Sequence, residues 1–430
     1  MERSRAGGPS KVVRAESREG AGRSGTSGGG FARSRAGGPS KVVRAESREG
    51  AGIPLLSSYK PEEYEEVLGA KIRGIEGTFG DLLDRDGCEV TREVSPKAYF
   101  RLRCRFGVSC DGDGVDGLSL THTLYNRGGP RVSVSSYPVA SKQINALMPK
   151  VADALGRGSP VLRTNLTGIH YLTTLAEKDV VVTLVYDKPL EDAEQWQREA
   201  KRLGDSLSVS LIGRSKGVKL VCGKDYVVES MRINDSVLSW KQVEGSFSNP
   251  NGEICKRTIE HICGLASQIA RDDGGVRRDL LDLYCGNGNY TVPLSPHFSR
   301  ILSVELNKSL VSAARENMRT NSVANVQLCQ SCCMKFSQNV RAKRGGDFQA
   351  YSGFDFSTIL VDPPRAGLDP NTLHVANAFD HIIYISCNAE TLKACLEQLT
   401  NTHELRSFKV FDHFPYTEWS ECVVHLRRRG

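Results

Sequence analysis

The sequence lacks any apolar run long enough to cross a membrane, and its cysteines form neither a disulfide pattern nor a metal-binding pattern. No stretch of ~18 apolar residues occurs in the 430-residue chain, so we expect no transmembrane helix and no membrane partner. The 13 cysteines are irregularly spaced, which predicts reduced thiols rather than a secreted disulfide scaffold. Cys329 and Cys332 form a CxxC pair without a second pair at a zinc-finger interval, so we expect no bound metal.

Asp is absent from residues 1–52, and this segment is strongly basic. It contains nine Arg, two Lys and five Glu, so it carries +6 of the formal net charge of +7. The sequence RSRAGGPSKVVRAESREGAG occurs at 3–22 and again at 33–52, and its few large apolar residues cannot bury a core. We therefore predict a disordered basic tail on a cytoplasmic protein. Organellar targeting is the alternative, and the five Glu residues argue against it.

Residues 53–246 mix helical and strand patterns, which predicts an α+β region. The segment PEEYEEVLGAKIRGIEGTF has the apolar spacing of an amphipathic helix. In AYFRLRCRFGV, alternation places Arg101, Arg103 and Arg105 on one face of a strand. Such a face is either an ordinary solvated surface or a surface that binds an RNA backbone.

The pattern becomes regular in residues 247–430, where helices alternate with short apolar strands such as DLLDLYCG, RILSVEL and HIIYIS. Repeated βαβ units predict a mostly parallel, doubly wound α/β sheet with helices on both faces. Ligands of such sheets bind at the carboxyl ends of the strands. The polar residues that follow these strands are therefore the candidate site.

The first of these strands leads into the turn LDLYCGNGNYT, where Gly286 and Gly288 allow a ligand close to the backbone. A dinucleotide fingerprint needs a third glycine where Thr291 stands, which argues against an oxidoreductase. Glu305 ends the next strand, and a carboxylate there can accept hydrogen bonds from both hydroxyls of a ribose. Together these features predict a nucleoside cofactor without pyrophosphate, such as S-adenosylmethionine.

Three side chains of chemical interest accompany the later strands. Asp362 precedes two prolines in VDPPRAG, which hold its carboxylate and Arg365 toward the cleft. Cys387 lies between a strand and a helix that Asn388 caps, where the helix dipole stabilises a thiolate. Glu421 begins the last strand. We expect Asp362 and Cys387 to be neighbours, because they end consecutive strands of the predicted sheet.

This combination suits methylation of uracil at C5, a carbon that is a poor nucleophile by itself. A Cys387 thiolate that adds to C6 makes C5 an enolate carbon, which can take the methyl group of S-adenosylmethionine. The C5 proton must then be removed before the thiolate leaves, and a shielded Glu421 carboxylate can accept it. A base in RNA has to be extruded from its stack to reach such a pocket.

The motifs LDLYCGNGNYT, VDPPRAGL, YISCNAETL and FPYTEWSEC together resemble those of the RNA 5-methyluridine methyltransferases. VSSYPVASKQINALM, GIHYLTTL and WKQVEGSFSNPN are similar to the bacterial-type tRNA (uracil-5-)-methyltransferases, which make the T-loop ribothymidine. The likeness runs from about Tyr59 to Arg427. It implies a Rossmann-like, S-adenosylmethionine-dependent methyltransferase domain at 247–430, preceded by a tRNA-binding region at 53–246, in an enzyme that we expect to be monomeric.

The resemblance also implies roles for single residues. Cys387 is the nucleophile and Glu421 the proton acceptor. The positions that match cofactor contacts are Tyr284, Asn289, Glu305 and Asp362. Expected RNA contacts are Arg101, Arg103 and Arg365.

One position departs from the family pattern, which usually has Phe-x-Gln-x-Asn at the start of the catalytic domain, with the Gln touching cofactor. Here Asn249 stands in place of the Gln. Asn keeps the amide group but is a methylene shorter. We therefore expect Asn249 to reach the cofactor through water.

Three alternatives differ in what they require of the sequence. Relatives that methylate uridine in ribosomal RNA often carry an N-terminal TRAM domain and a four-cysteine iron–sulfur site, and neither pattern is visible here, which favours tRNA. A methyltransferase for an exocyclic amine would have an aromatic residue where Arg365 stands and would leave Cys387 and Glu421 without a role. A tRNA-binding or tRNA-folding protein without catalysis would not need the nucleophile, the base and the cofactor carboxylates.

Overall fold

Residues 56–111, 119–124 and 131–430 are described in a computed structural model of the chain. The predicted tail at 1–52 lies outside these residues. Within the described ranges, no helix is long and apolar enough to cross a membrane.

The predicted amphipathic helix and the predicted strands DLLDLYCG, RILSVEL and HIIYIS are all present among the described elements. The α-helices are α1 (Tyr64–Asp86), α2 (Lys142–Arg157), α3 (Pro160–Arg163), α4 (Ala193–Leu207), α5 (Gly252–Asp272), α6 (Thr291–Leu294), α7 (Lys308–Thr320), α8 (Cys333–Arg341), α9 (Gly345–Ser352), α10 (Pro370–Ala376) and α11 (Ala389–Leu399). The strands are β1 (Val90–Glu93), β2 (Arg103–Asp111), β3 (Ser119–Leu124), β4 (Val132–Val134), β5 (Leu166–Thr173), β6 (Val180–Tyr186), β7 (Ser210–Ser215), β8 (Val218–Cys222), β9 (Tyr226–Ile233), β10 (Ser236–Val243), β11 (Asp279–Leu283), β12 (Ile301–Glu305), β13 (Val326–Gln330), β14 (Phe356–Val361), β15 (His381–Ser386), β16 (His403–Phe411) and β17 (Glu421–Arg428).

The doubly wound sheet predicted from the βαβ pattern is confirmed. Its strand order is β1-β16-β17-β15-β14-β11-β12-β13. The pairs from β13 to β15 are parallel, and β11 and β15 are buried along their whole length, as expected for strands covered on both faces. The C-terminal strand β17 is inserted antiparallel between β15 and β16.

A short strand that the sequence patterns missed extends this sheet. β1 pairs in parallel with β16, from Val90 opposite Phe408 to Glu93 opposite Phe411. Its sequence, VTRE, has no buried residue and therefore no periodic apolar signal. The sheet thus recruits a strand from the region before residue 246, and the limits 53–246 and 247–430 stay a prediction.

The other sheet makes the preceding region α+β, as the mixed patterns predicted. Its order is β4-β3-β2-β5-β6-β7-β8. Its pairs are antiparallel except β6 and β7, which run parallel with α4 between them in the chain. The separate hairpin of β9 and β10 packs on α7, and the Trp240 indole donates a hydrogen bond to the carbonyl of Gly288 (3.3 Å). This hairpin therefore supports the glycine turn after β11.

A buried ion pair anchors α1 to the loop that follows β16. Lys71 Nζ lies 2.7 Å from Asp412 Oδ1 and also donates to the carbonyl of Phe414 (2.8 Å). The Tyr64 hydroxyl donates to the other carboxylate oxygen (2.9 Å). The two charged side chains are 5% and 0% exposed, and burial lowers the pKa of Lys71 although Asp412 opposes that shift.

Removal of the Lys71 charge should strongly destabilise the fold. Lys71→Met leaves the Asp412 carboxylate buried without its cation, which typically costs ~3–5 kcal/mol. Urea unfolding measures the loss. The matched control is Lys201→Met, which breaks an exposed Lys–Asp pair on α4 and should change the midpoint little. Equal midpoints for the two variants would contradict the anchoring role.

Candidate active site

Residues predicted to form the site lie at one edge of the parallel sheet. Leu283 at the end of β11 is level with Val304 on one side and Val361 on the other. Val361 is in turn level with Tyr384 of β15. The predicted site residues that follow or end these strands at this edge are Tyr284, Glu305, Asp362 and Cys387.

The glycine turn and Glu305 form a cradle of exposed backbone next to a carboxylate. Gly286 and Gly288 have φ of 59° and 81°, and a Cβ at Gly286 would meet no atom within 4 Å. Glu305 accepts hydrogen bonds from the backbone NH groups of Gly286 (3.1 Å) and Asn307 (2.7 Å). These bonds fix the carboxylate beside open backbone, which fits the predicted nucleoside cofactor.

The buried floor of this cradle explains why Thr291 stands where a dinucleotide fingerprint has glycine. Thr291 donates to Asp282 Oδ2 (2.5 Å), and Asp282 is fully buried. Burial raises the pKa of Asp282 to about 7, the Thr291 hydrogen bond opposes the shift, and the charge of Asp362 adds to it. Asp282 therefore lies below the cofactor edge, whereas Asp362 and Glu305 are partly accessible.

Two predicted cofactor residues from distant segments converge on a buried thiol that the sequence reasoning missed. The amide nitrogens of Asn249 and Asn289 lie 3.4 Å and 3.7 Å from Cys255 Sγ. Burial raises the pKa of Cys255 to about 12, so it remains a neutral thiol. Asn249, although shorter than the family's Gln, therefore lies beside Asn289. No local sequence pattern distinguished Cys255 from the other cysteines.

Tyr284 occupies a left-handed conformation between β11 and the glycine turn. Its φ is 65°, a region that non-glycine residues rarely adopt and that often marks functional sites. Its ring is half-buried, and burial raises the pKa of its hydroxyl. The phenol is therefore a neutral side chain at the cofactor edge.

Cys387 follows β15 directly and is 8% exposed. As predicted, Asn388 caps α11, with its side-chain oxygen accepting from the NH of Glu390 (3.1 Å). The Asn388 amide also donates to the carbonyl of Arg365 (3.0 Å), which ties the helix start to the Asp-Pro-Pro loop. The thiol is thus held at the N-terminus of a helix of 11 residues.

Glu421 is brought opposite Cys387 by the pairing of β15 with β17. The last register pair is Ser386 with Cys422, so the next antiparallel position places Cys387 across from Glu421. Glu421 is 4% exposed, and His413 Nε2 lies 3.4 Å from its Oε1. Burial lowers the pKa of His413 to about 3, so this imidazole is neutral. The sequence reasoning did not identify His413.

A cavity of about 780 Å³ opens beside Cys387. One wall is the α1 face that carries Lys71, Gly74 and Thr78, and the opposite wall includes Arg365 and Trp419. The Arg365 guanidinium carbon lies 3.8 Å from the centre of the Trp419 ring. The cavity therefore combines a thiol, a cation and an aromatic face.

Two of the predicted RNA contacts lie elsewhere. Arg101 precedes β2, is 5% exposed, and donates from Nε to the carbonyl of Arg103 (3.0 Å). Arg103 donates to the carbonyls of Ser246 (2.5 Å) and Ser248 (2.8 Å). The prediction that Arg101 shares a strand face with Arg103 and Arg105 is therefore wrong, because β2 begins at Arg103. Arg103 therefore ties β2 to the segment before α5. Contact of Arg101 and Arg103 with RNA stays a prediction.

Among the described residues, no group of three His, Cys, Asp or Glu side chains is placed to hold a metal ion.

Among solved structures, the fold is similar to that of the Pyrococcus abyssi tRNA (uracil-54, C5)-methyltransferase in complex with S-adenosyl-L-homocysteine. The TM-score is 0.61 at 19% identity, over 84% of this chain and 83% of that one. This similarity supports the predicted Rossmann-like methyltransferase fold.

Similar sequences give the family. A tRNA/tmRNA (uracil-C(5))-methyltransferase of Cellvibrio japonicus is 37% identical over 377 residues, which is 87% of this chain and 98% of the relative. A protein of the same name from Shewanella loihica is 38% identical over 380 residues. A family model described as tRNA (Uracil-5-)-methyltransferase matches residues 63–429. The resemblance of the motifs is thereby confirmed, and the chain belongs to the tRNA (uracil-5-)-methyltransferase family.

Proposed function

We propose that this protein methylates C5 of a uridine in tRNA, with S-adenosylmethionine as methyl donor. The observation that carries the proposal is the register of β15 and β17: continued by one position beyond the pair of Ser386 with Cys422, it brings Glu421 opposite Cys387, which lines the cavity. A thiol beside a buried carboxylate supplies the nucleophile and the base that this substitution needs.

Cys387 adds to C6 of the extruded uracil. Its sulfur lies at the N-terminus of α11, whose dipole stabilises negative charge on the thiolate before attack. Addition turns C5 into an enolate carbon. The cofactor, when bound, supplies an electrophilic methyl group for that carbon.

Glu421 then removes the C5 proton. The electron pair of the C5–H bond forms the C5=C6 double bond, and the C6–S bond breaks to release the Cys387 thiolate. Glu421 is almost completely shielded from water. Its carboxylate is therefore poorly solvated, which favours direct transfer of the C5 proton to it. His413 is a poor candidate for this base, because burial lowers its pKa to about 3.

The residues that would hold the cofactor are Glu305 toward the ribose, with Tyr284, Asn289 and Asp362 around the glycine turn and Asn249 acting through water. The open backbone at Gly286 and the fixed Glu305 carboxylate support this assignment. S-adenosylmethionine has no pyrophosphate, so the turn needs no third glycine at position 291. Thr291 instead donates a hydrogen bond to Asp282.

We infer that the substrate is the T-loop uridine of tRNA, and that Arg365, stacked on Trp419, contacts the RNA beside the extruded base. The names of the relatives at 37–38% identity support tRNA over ribosomal RNA. We further propose a monomeric, cytoplasmic enzyme that needs no metal, because thiol addition and carboxylate proton transfer require no Lewis acid. Residues 53–246 would supply most of the tRNA-binding surface.

tRNA containing 5-fluorouridine should trap the enzyme covalently. Fluorine at C5 cannot leave as a proton, so with S-adenosylmethionine a denaturing gel should resolve a shifted protein–RNA band. Cys387→Ala should lose the band, whereas Cys395→Ala should keep it, because Cys395 is a buried cysteine of α11 that does not line the cavity. A band that survives Cys387→Ala would refute the nucleophile, and no band from wild type on bound tRNA would favour a non-catalytic tRNA-binding protein.

Glu421→Gln should accumulate the covalent adduct with ordinary tRNA, because the C5 proton has no acceptor. Turnover should fall ~10²- to 10⁴-fold, as measured by methyl transfer from labelled S-adenosylmethionine. The control is Glu404→Gln. Glu404 is on β16 opposite Arg427, at the far end of β17 from Glu421, and this variant should turn over normally. Normal turnover by Glu421→Gln would exclude it as the base.

Filling the α1 wall should block RNA but not cofactor. At Gly74 a new Cβ would meet no atom within 4 Å, and the side chain of Gly74→Phe would enter the cavity. We expect kcat/KM for tRNA to fall roughly 10-fold or more, with cofactor affinity unchanged.

Gly77→Phe is the matched control, because Gly77 is on the same helix and has equally open space but does not line the cavity. Equal activity of the two variants would place the RNA elsewhere.

A further inference from the structure

A buried histidine contacts the predicted base without being able to replace it. His413 follows β16, is fully buried, and places Nε2 3.4 Å from Glu421 Oε1 and 3.1 Å from Thr258 Oγ1. The position of the proton on this ring decides what His413 does to Glu421, since a neutral imidazole donates from one nitrogen only.

Thr258 determines the tautomer. Its hydroxyl donates its single hydrogen to the carbonyl of Ile254 within α5 (2.8 Å). Toward His413, Thr258 Oγ1 can therefore only accept, so the proton of the ring is on Nε2. This single N–H is shared between two acceptors, because Nε2 lies 3.1 Å from Thr258 Oγ1 and 3.4 Å from Glu421 Oε1.

The other ring nitrogen has no role in proton transfer. His413 Nδ1 is buried and has no hydrogen-bond partner among the described residues. Burial lowers the pKa of the ring to about 3, so it stays neutral. A neutral N–H donor can orient a carboxylate without giving up its own proton, so Glu421 remains the acceptor in the proposed step.

We propose that His413 is a positioning residue, which holds the Glu421 carboxylate through Nε2–H in the orientation that removes the C5 proton. The separation of 3.4 Å is long for a hydrogen bond, and such contacts commonly shorten when substrate binds. The proton itself passes from C5 to Glu421, the C6–S bond breaks as before, and His413 neither gains nor loses a proton. This inference rests on the proposed function.

His413→Leu should slow the resolution of the adduct rather than its formation. Loss of one hydrogen bond to a charged group should lower kcat ~10- to 100-fold, with little change in KM for tRNA or in cofactor affinity. Wild-type tRNA with S-adenosylmethionine should then give a covalent band on a denaturing gel. His413→Gln restores an N–H donor and should recover most of kcat and remove the band.

His261→Leu is the matched control. His261 packs on Phe411 as His413 packs on Phe414, and His261 Nε2 is buried with no hydrogen-bond partner among the described residues, so its loss perturbs the neighbouring core. It should give no covalent band. A band from His261→Leu, or equal impairment of His413→Leu and His413→Gln, would reduce His413 to a packing role and overturn the proposal.

The two levels of inference fail differently. If Glu421→Gln traps an adduct and His413→Leu does not, the positioning role alone is wrong. If wild type forms no band with 5-fluorouridine tRNA, the proposed function is wrong and the role of His413 with it.

Discussion

The antiparallel insertion of β17 between β15 and β16 is the constraint on which the active site depends. In a parallel sheet the carboxyl ends of the strands share one edge, so polar residues after β11, β12, β14 and β15 meet there. A strand of opposite direction presents its beginning at the same edge. Glu421 is the first residue of β17 and therefore lies at this edge, one position beyond the pair of Cys422 with Ser386, the residue before Cys387. A register slip of one residue would turn the carboxylate to the other face of the sheet.

Burial sets the charge state of the groups around this pair. His413 and Cys255 stay neutral because desolvation lowers the pKa of the imidazole and raises that of the thiol. The fixed charges facing the cleft are then the carboxylates of Glu305 and Asp362 and the guanidinium of Arg365. The proposed base Glu421 is almost completely buried, so proton removal there would not compete with bulk water.

Stability and site geometry share the same segment of chain. The loop after β16 contains Asp412, which anchors α1, and His413, which contacts Glu421. The helix held by Asp412 is also the wall of the cavity beside Cys387. A single buried turn thus links a helix near the start of the described chain to the proposed chemistry at its end.

Much of the fold and the location of the candidate site could be predicted from the sequence alone, because they depend on patterns within short segments. Strand and helix periodicity, the glycine turn, the Asn388 cap and the spacing of the strands indicate a doubly wound sheet and the edge where its polar residues lie. Only the tertiary structure decided that Arg101 is buried, that β1 joins the parallel sheet, that α1 lines the cavity, and that His413 contacts both Thr258 and Glu421. Thr258 and His413 are 155 residues apart in the chain. Contacts at such separation depend on how whole elements pack, and no pattern within a short window of sequence encodes them.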